Sequence, residues 1–125
     1  MAIKAYNPTT PGRRGMTTLD TSDITTKRPL KSLVVIKKKN SGRNNLGRIT
    51  TRHRGGGVRK FYRLVNFNLP ADTIATIEHI EYDPNRSARI ARIKDQTGHY
   101  HYILAANGMQ VGQTISSGEE VAIET

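Results

Sequence analysis

The chain has 125 residues, a formal net charge of +10, a pI of about 10.3 and no cysteine. Disulfide frameworks and thiolate metal sites are thereby excluded. Residues 1–65 hold sixteen cations against Asp20 and Asp23, while residues 66–125 hold four cations against eight anions, a polarity that predicts a basic arm on an ordinary domain.

Residues 1–57 contain few large apolar side chains and many Thr, Asn, Gly, Arg and Lys. On its own this arm is expected to be largely extended and disordered, ordering when it meets its partner, because it cannot bury enough apolar surface to offset its conformational entropy. Residues 33–39, LVVIKKK, are the exception and predict a short strand, which residues 40–42 break. The aliphatic run at 33–36 is far too short for a signal-peptide core or a membrane span, so a soluble intracellular protein with no membrane partner is expected.

Between Asp23 and Asp72 lie thirteen Lys or Arg and no Asp or Glu, among them Lys37, Lys38, Lys39, Arg59 and Lys60. A solvated charged face mixes both signs, so an acid-free run of 48 residues points instead to a polyphosphate. Within residues 42–63, GRNNLGRITTRHRGGGVRKFYR, the arginines are spaced by glycines, amides and small polar residues. Such a backbone can approach a surface closely, and its guanidinium groups can fork onto phosphate oxygens.

From Arg59 the pattern turns to period two, with Phe61, Arg63, Val65 and Phe67 on one expected face and Tyr62, Leu64 and Asn66 on the other. Strands are predicted at 74–82, 87–94, 99–105, 111–115 and 120–123, separated by Asp83-Pro84-Asn85-Arg86, Asp95-Gln96-Thr97-Gly98 and Asn107-Gly108 turns. The fold class expected is all-β: a small five-stranded barrel of the oligonucleotide-binding (OB) type over residues 58–125, preceded by the basic arm.

His53, His79, His99 and His101 lack a further ligand at useful spacing, so no metal site is expected. Gly55-Gly56-Gly57 lacks the Lys and Ser/Thr of a P-loop, and no Ser, His and Asp set is organised for nucleophilic chemistry, so neither an enzyme, a cofactor nor a small-molecule substrate is expected. The Gly/Arg segment fits structured RNA, whose crowded phosphates and bulged bases suit Arg forks, the Asn44 and Asn45 amides, and stacking by His53 or Tyr62. The residues alone leave open a stand-alone OB-type binder of structured RNA or single-stranded nucleic acid.

Residues 42–63 resemble the signature block of the universal large-subunit ribosomal protein two family, and Pro11-Gly12-Arg13-Arg14, Tyr62-Arg63, the stretch EYDPNRS at 81–87 and Tyr102-Ile103-Leu104-Ala105 follow in that family's order. The bacterial or organellar branch fits best. The resemblance implies an OB-type domain and arm bound to large-subunit ribosomal RNA near the peptidyl transferase region, beside neighbouring ribosomal proteins, in a cytoplasmic or organellar ribosome. By matching position it assigns RNA contacts to Arg13, Arg14, Arg43, Asn44, Asn45, Arg48, Arg52, His53, Arg54, Gly55, Gly56, Gly57, Tyr62, Arg63 and Arg86. Where the family often has His-Lys or His-Arg after the glycines, this chain has Val58-Arg59, which keeps the charge and drops the imidazole. The second C-terminal barrel of longer members is expected to be absent from these residues.

Overall fold

The computed structural model describes residues 3–118 and residue 121. Eight strands follow in chain order: β1 (Ile3–Ala5), β2 (Thr17–Leu19), β3 (Val34–Ile36), β4 (Phe61–Arg63), β5 (Thr73–Glu81), β6 (Ile90–Asp95), β7 (Tyr100–Leu104) and β8 (Thr114–Ser117). The helical content of the described residues is one 3-10 turn at Lys31–Leu33, so the protein is all-β.

The main sheet is antiparallel and four-stranded, in the order β7-β6-β5-β8. Its β6–β7 hairpin closes at Asp95–Gly98 as predicted, where the Gly98 amide donates to the Asp95 carbonyl at 2.9 Å and Gly98 takes a φ of +86°. That conformation costs glycine nothing. Residues opposed across an antiparallel ladder share a face. Ala75, Ile77, Ala91 and Ile93 form the buried core on one face, with Leu69, Ile103, Ala105, Met109 and Ile115 against it.

A register shift between Ile77 and His79 places an extra residue in β5. Past it, Ile80 rejoins the core face opposite Ala91, while His79 stands opposite Arg92, which in turn stands opposite Tyr102. Glu81, two residues beyond His79, shares that second, polar face. Strict alternation through 74–82 would have missed this exchange.

The N-terminal half supplies what the main sheet leaves unpaired. Among the described residues β8 pairs with Thr73–Thr76 alone, so the far end of β5 is left for another partner. Residues 25 and 26 fill it: the Thr25 amide donates to the Ile80 carbonyl at 3.0 Å, the Ile80 amide donates to Thr25 Oγ1 at 3.0 Å, and Thr26 bridges Glu81 in parallel. β3 pairs with β4, and the chain then reaches β7 through a parallel bridge from Val65 to Tyr102, with the Asn66 amide donating to the Tyr102 carbonyl at 2.7 Å. β1 and β2 form a separate antiparallel pair.

The expected closed barrel is not what the described residues form. Their strands make one four-stranded and two two-stranded sheets, none closed on itself. The physical reason is short reach: β8 covers four residues of β5, and the β3–β4 ladder meets the main sheet through the Val65–Tyr102 bridge. The strand expected at 120–123 falls outside the described residues, Val121 excepted.

Two further expectations shift. The run from Arg59 is a strand only over Phe61–Arg63, with Arg63 buried and Phe67 71% exposed, so the expected alternation of faces is broken. The Asn66 side chain accepts from the Asn68 amide at 3.0 Å, a turn that ends the extended run. The strand expected at 111–115 begins at Thr114 instead, because Gly112 sits at φ +90° and donates to the Ile77 carbonyl at 2.8 Å.

Candidate nucleic-acid interface

Residues 40–60 contain no regular strand, yet they are tightly bonded to themselves. The Gly42 carbonyl is the hub: it accepts from the Thr50 amide at 2.8 Å, the Thr51 amide at 3.1 Å and Thr50 Oγ1 at 3.2 Å. Gly42 takes a φ of +71°, and a Cβ there would collide with the Thr51 carbonyl oxygen, so the position admits glycine for two independent reasons. Asn44 shapes the tip, its Oδ1 accepting from the Leu46 and Arg48 amides at 3.0 Å each, while the Arg43–Ile49 bridge closes the base. Residues 40–42 end the strand as expected, whereas Asn44, expected as an RNA-contacting amide, also shapes this closed loop, which the sequence did not reveal.

The loop folds its cations around two adjoining concavities. One, of about 500 Å³, is lined by Lys38, Lys39, Arg43 and Arg54 with Ser41, Gly42, Thr50, Thr51 and Gly55. The other, of about 270 Å³, is lined by Lys37, Lys38, Lys39, Arg59 and Lys60 with Ser41, Gly56 and Gly57. Among the described residues no Asp or Glu lines either. Lys39 Nζ donates to the Gly56 carbonyl at 3.3 Å across the shared wall, and a Cβ on Gly56 would press on Ser41 Oγ. Ser41, Thr50 and Thr51 are hydroxyl-bearing lining residues that the sequence reading passed over; their signal was their place between cationic runs.

The remaining candidates divide. Arg48, Arg52 and His53 are exposed on the same loop, with His53 held at φ +61°, and Asn45 is exposed beside Asn44. Arg13 and Arg14 belong to the turn between β1 and β2, where Arg13 lies 5.1 Å from the Tyr6 ring centroid, and neither lines the two concavities. Tyr62 is half-exposed on β4. Arg86 is drawn into the fold, its Nε 2.7 Å from Oδ2 of the fully buried Asp83, whose Oδ1 accepts from the Asn85 amide.

Arg63 is the candidate placed furthest from solvent. It is 6% exposed, donates from Nη1 to the Phe61 carbonyl at 2.9 Å, and faces a buried polar cluster. In that cluster the Tyr102 hydroxyl donates to Glu81 Oε2 at 2.8 Å and accepts from the Leu30 amide at 2.9 Å, while Arg92 pairs with Glu78 and Glu81. Burial pushes the Glu81 carboxyl up, against the opposing pull of the Tyr102 hydrogen bond and the Arg92 and Arg63 charges. Burial, with Glu81 adding to it, pushes the Tyr102 phenol up to about 12. This cluster ties the basic half to the main sheet and holds Leu30 at the threshold of β3.

The ion pairs of the described residues engage Arg86, Arg89 and Arg92, and none engages a cation from residues 24–71. Among the described residues no group of three or more His, Asp or Glu is placed to hold a metal ion. What the loop presents is a set of cations, hydroxyls and glycines with no counter-charge among the described residues, a composition suited to phosphate contact.

An all-β protein with its cations concentrated around an acid-free loop has the surface of a nucleic-acid binder. The family model described as Ribosomal Proteins L2, RNA binding N-terminal domain matches residues 30–117, a span that takes in the basic loop and the main sheet. The chain belongs to this family. It is a ribosomal, RNA-binding protein of the large subunit serving translation, in a family of structural RNA-binding domains rather than of enzymes.

Proposed function

We propose that the chain stabilises large-subunit ribosomal RNA near the peptidyl transferase region, with residues 37–60 as its main RNA surface. One observation carries this reading: Lys38, Lys39 and Ser41 are common walls of two concavities lined by cations and, among the described residues, by no acid. RNA folded on itself brings phosphates from separate strands close together, and a concave surface with fixed Arg and Lys can bridge them.

On this reading Arg43, Arg48, Arg52, Arg54, Arg59 and Lys37–Lys39 with Lys60 meet phosphates. Gly55, Gly56 and Gly57 let the backbone approach the RNA, and Asn45 and His53 address sugar or base edges. Arg13, Arg14 and Tyr62 extend the surface beyond the loop, Asn44 shapes its tip, and Arg63 and Arg86 act from within the fold by fixing β4 and the 83–86 turn. The division at about residue 57 then marks where the basic arm gives way to the sheet domain, with Arg59, Lys60 and Tyr62 continuing the RNA surface just past it. The four-stranded sheet and the bridge that brings β4 to β7 support an OB-type arrangement for residues 58–125. Neighbouring ribosomal proteins are partners on the faces that RNA leaves uncovered, and the ribosome concerned is cytoplasmic or organellar.

Hydroxyl-radical footprinting of large-subunit ribosomal RNA with the full chain tests the reading. Protected riboses should cluster around the peptidyl transferase region and should fade together when Arg43 and Arg54 are replaced by Ala. Protection scattered evenly along the RNA would contradict it.

A further inference from the structure

The strand pair β3–β4 carries an apolar groove that the phosphate-binding surface does not use. Its volume is about 500 Å³, and Pro29, Val34, Ile36 and Phe61 form its floor, with Arg28 and Lys31 beside them. Ile36 and Phe61 are direct cross-strand partners, yet they stay 48% and 40% exposed. A contiguous apolar patch rimmed by charged residues is the kind of surface that marks an interaction site.

Three features together point to the occupant. Ile36 lines both this groove and the smaller basic concavity, so an apolar floor continues directly into a phosphate-binding wall. The groove's own charged residues are both cations, and Arg59 stands over the Phe61 ring at 5.3 Å from its centroid. The backbone that carries the ring is held: the Phe61 carbonyl accepts from Asn85 Nδ2 at 2.8 Å and from Arg63 Nη1 at 2.9 Å. A planar apolar group that arrives attached to an anion matches this pattern, and a nucleobase on its phosphate is such a group.

We propose that the groove receives one unstacked nucleobase of the bound RNA, stacked on Phe61, with Arg28 and Lys31 taking its flanking phosphates. The proposal rests on the RNA-binding reading above and adds a base subsite to it. Stacking accepts any base because every base has a π face, so the subsite selects an extruded nucleotide rather than a sequence. Arg59, already over the ring, adds a guanidinium plane to the same stack.

The test titrates the full chain, Phe61→Leu and Phe61→Tyr against large-subunit ribosomal RNA over a range of salt concentrations, and irradiates the wild-type complex with ultraviolet light before mass analysis of the cross-linked peptides. Phe61→Leu should weaken binding by about tenfold at every salt concentration, leaving the log-log salt slope unchanged, because stacking releases no counterions. Phe61→Tyr should bind as the wild type does, and a nucleotide adduct should sit on the wild-type peptide that contains Phe61. The adduct requires no substitution, so a folding defect in Phe61→Leu would leave the test standing. Wild-type affinity in Phe61→Leu together with no adduct at Phe61 would overturn the subsite. Failure of the wild-type chain to bind the RNA at all would overturn the RNA-binding reading and the subsite with it.

Discussion

Arg89 holds Asp23 from 66 residues away in the chain, with its Nε 3.1 Å from Asp23 Oδ2 and its Nη2 3.4 Å from Oδ1. The same Nη2 donates to the Asp20 carbonyl at 2.7 Å. Asp20 and Asp23 are the only acids among the first 65 residues, and this one guanidinium takes the carboxylate of Asp23 and the backbone carbonyl of Asp20. The Ser22 hydroxyl and then the Thr21 amide hold the Asp20 carboxyl below its usual value, so the turn that presents them is fixed by its own hydrogen bonds. Of the two carboxylates, that of Asp23 anchors the basic half to the sheet.

Removing Asp23 should therefore loosen the anchor more than a surface ion pair would. The Arg89 side chain is 6% exposed and would be left without its counter-ion, but Asp23 is 39% exposed and water can partly replace it. Asp23→Ala is expected to cost about 2 kcal/mol, below the roughly 3–5 kcal/mol of a fully buried pair. The melting temperature should fall, and hydrogen exchange should rise at Thr25 and Ile80. Unchanged exchange at those amides would show that Arg89 does not hold this segment.

Much of this was legible in the sequence, and the rest failed for identifiable reasons. The all-β class followed from the alternation at 74–82 and 99–105 and from Gly98 and Gly108 at turn positions. The basic loop was legible because a run without acids has few structural uses. Closure into a barrel was over-read, since alternation reports that a strand has two faces and says nothing of which strand it meets. The β5 irregularity at Ile77–His79, the Arg89–Asp23 anchor and the Tyr102–Glu81 bond all join residues whose chemistry is ordinary until the fold brings them together. Arg63 was read as a contact from its position in a motif, and only its burial beside Glu81 distinguishes it from Arg59.

Gly42 offers the sharpest separation of binding from folding. With a φ of +71° and the Thr51 carbonyl in the way of a Cβ, Gly42→Ala should open the 42–51 loop, whereas Gly55→Ala meets no atom within 4 Å. Strain of this kind costs on the order of 1–3 kcal/mol, so Gly42→Ala should lose about tenfold in RNA affinity while the main sheet melts as before. Gly55→Ala in the free protein should leave the loop's amide shifts unchanged. Equal affinity in wild type and Gly42→Ala would mean that the loop's closed form is not the one that binds.

Glu81 makes stability depend on pH in an uncommon direction. Burial raises its carboxyl above the ordinary 4.5, so the folded protein holds this proton more tightly than the unfolded chain does. The favourable contribution is complete below about 4.5 and is lost as the pH rises through the higher folded value. The Asp20 shift acts the other way, but its contribution is lost only as the pH falls through a value below 3.8, outside that window. The melting temperature of the wild type minus that of Glu81→Gln should therefore grow as the pH is lowered from about 7 toward the Glu81 window. A difference that stays flat or shrinks would place Glu81 in contact with solvent.

The salt dependence of binding tests the central claim most directly. If about eight to ten cations of the basic half meet phosphates, the log-log slope of affinity for large-subunit ribosomal RNA against salt should be roughly −6 to −9. A filter-binding titration with the full chain measures it. A slope near −2 would mean that about two or three phosphates are met, and the acid-free loop would not be the main RNA surface.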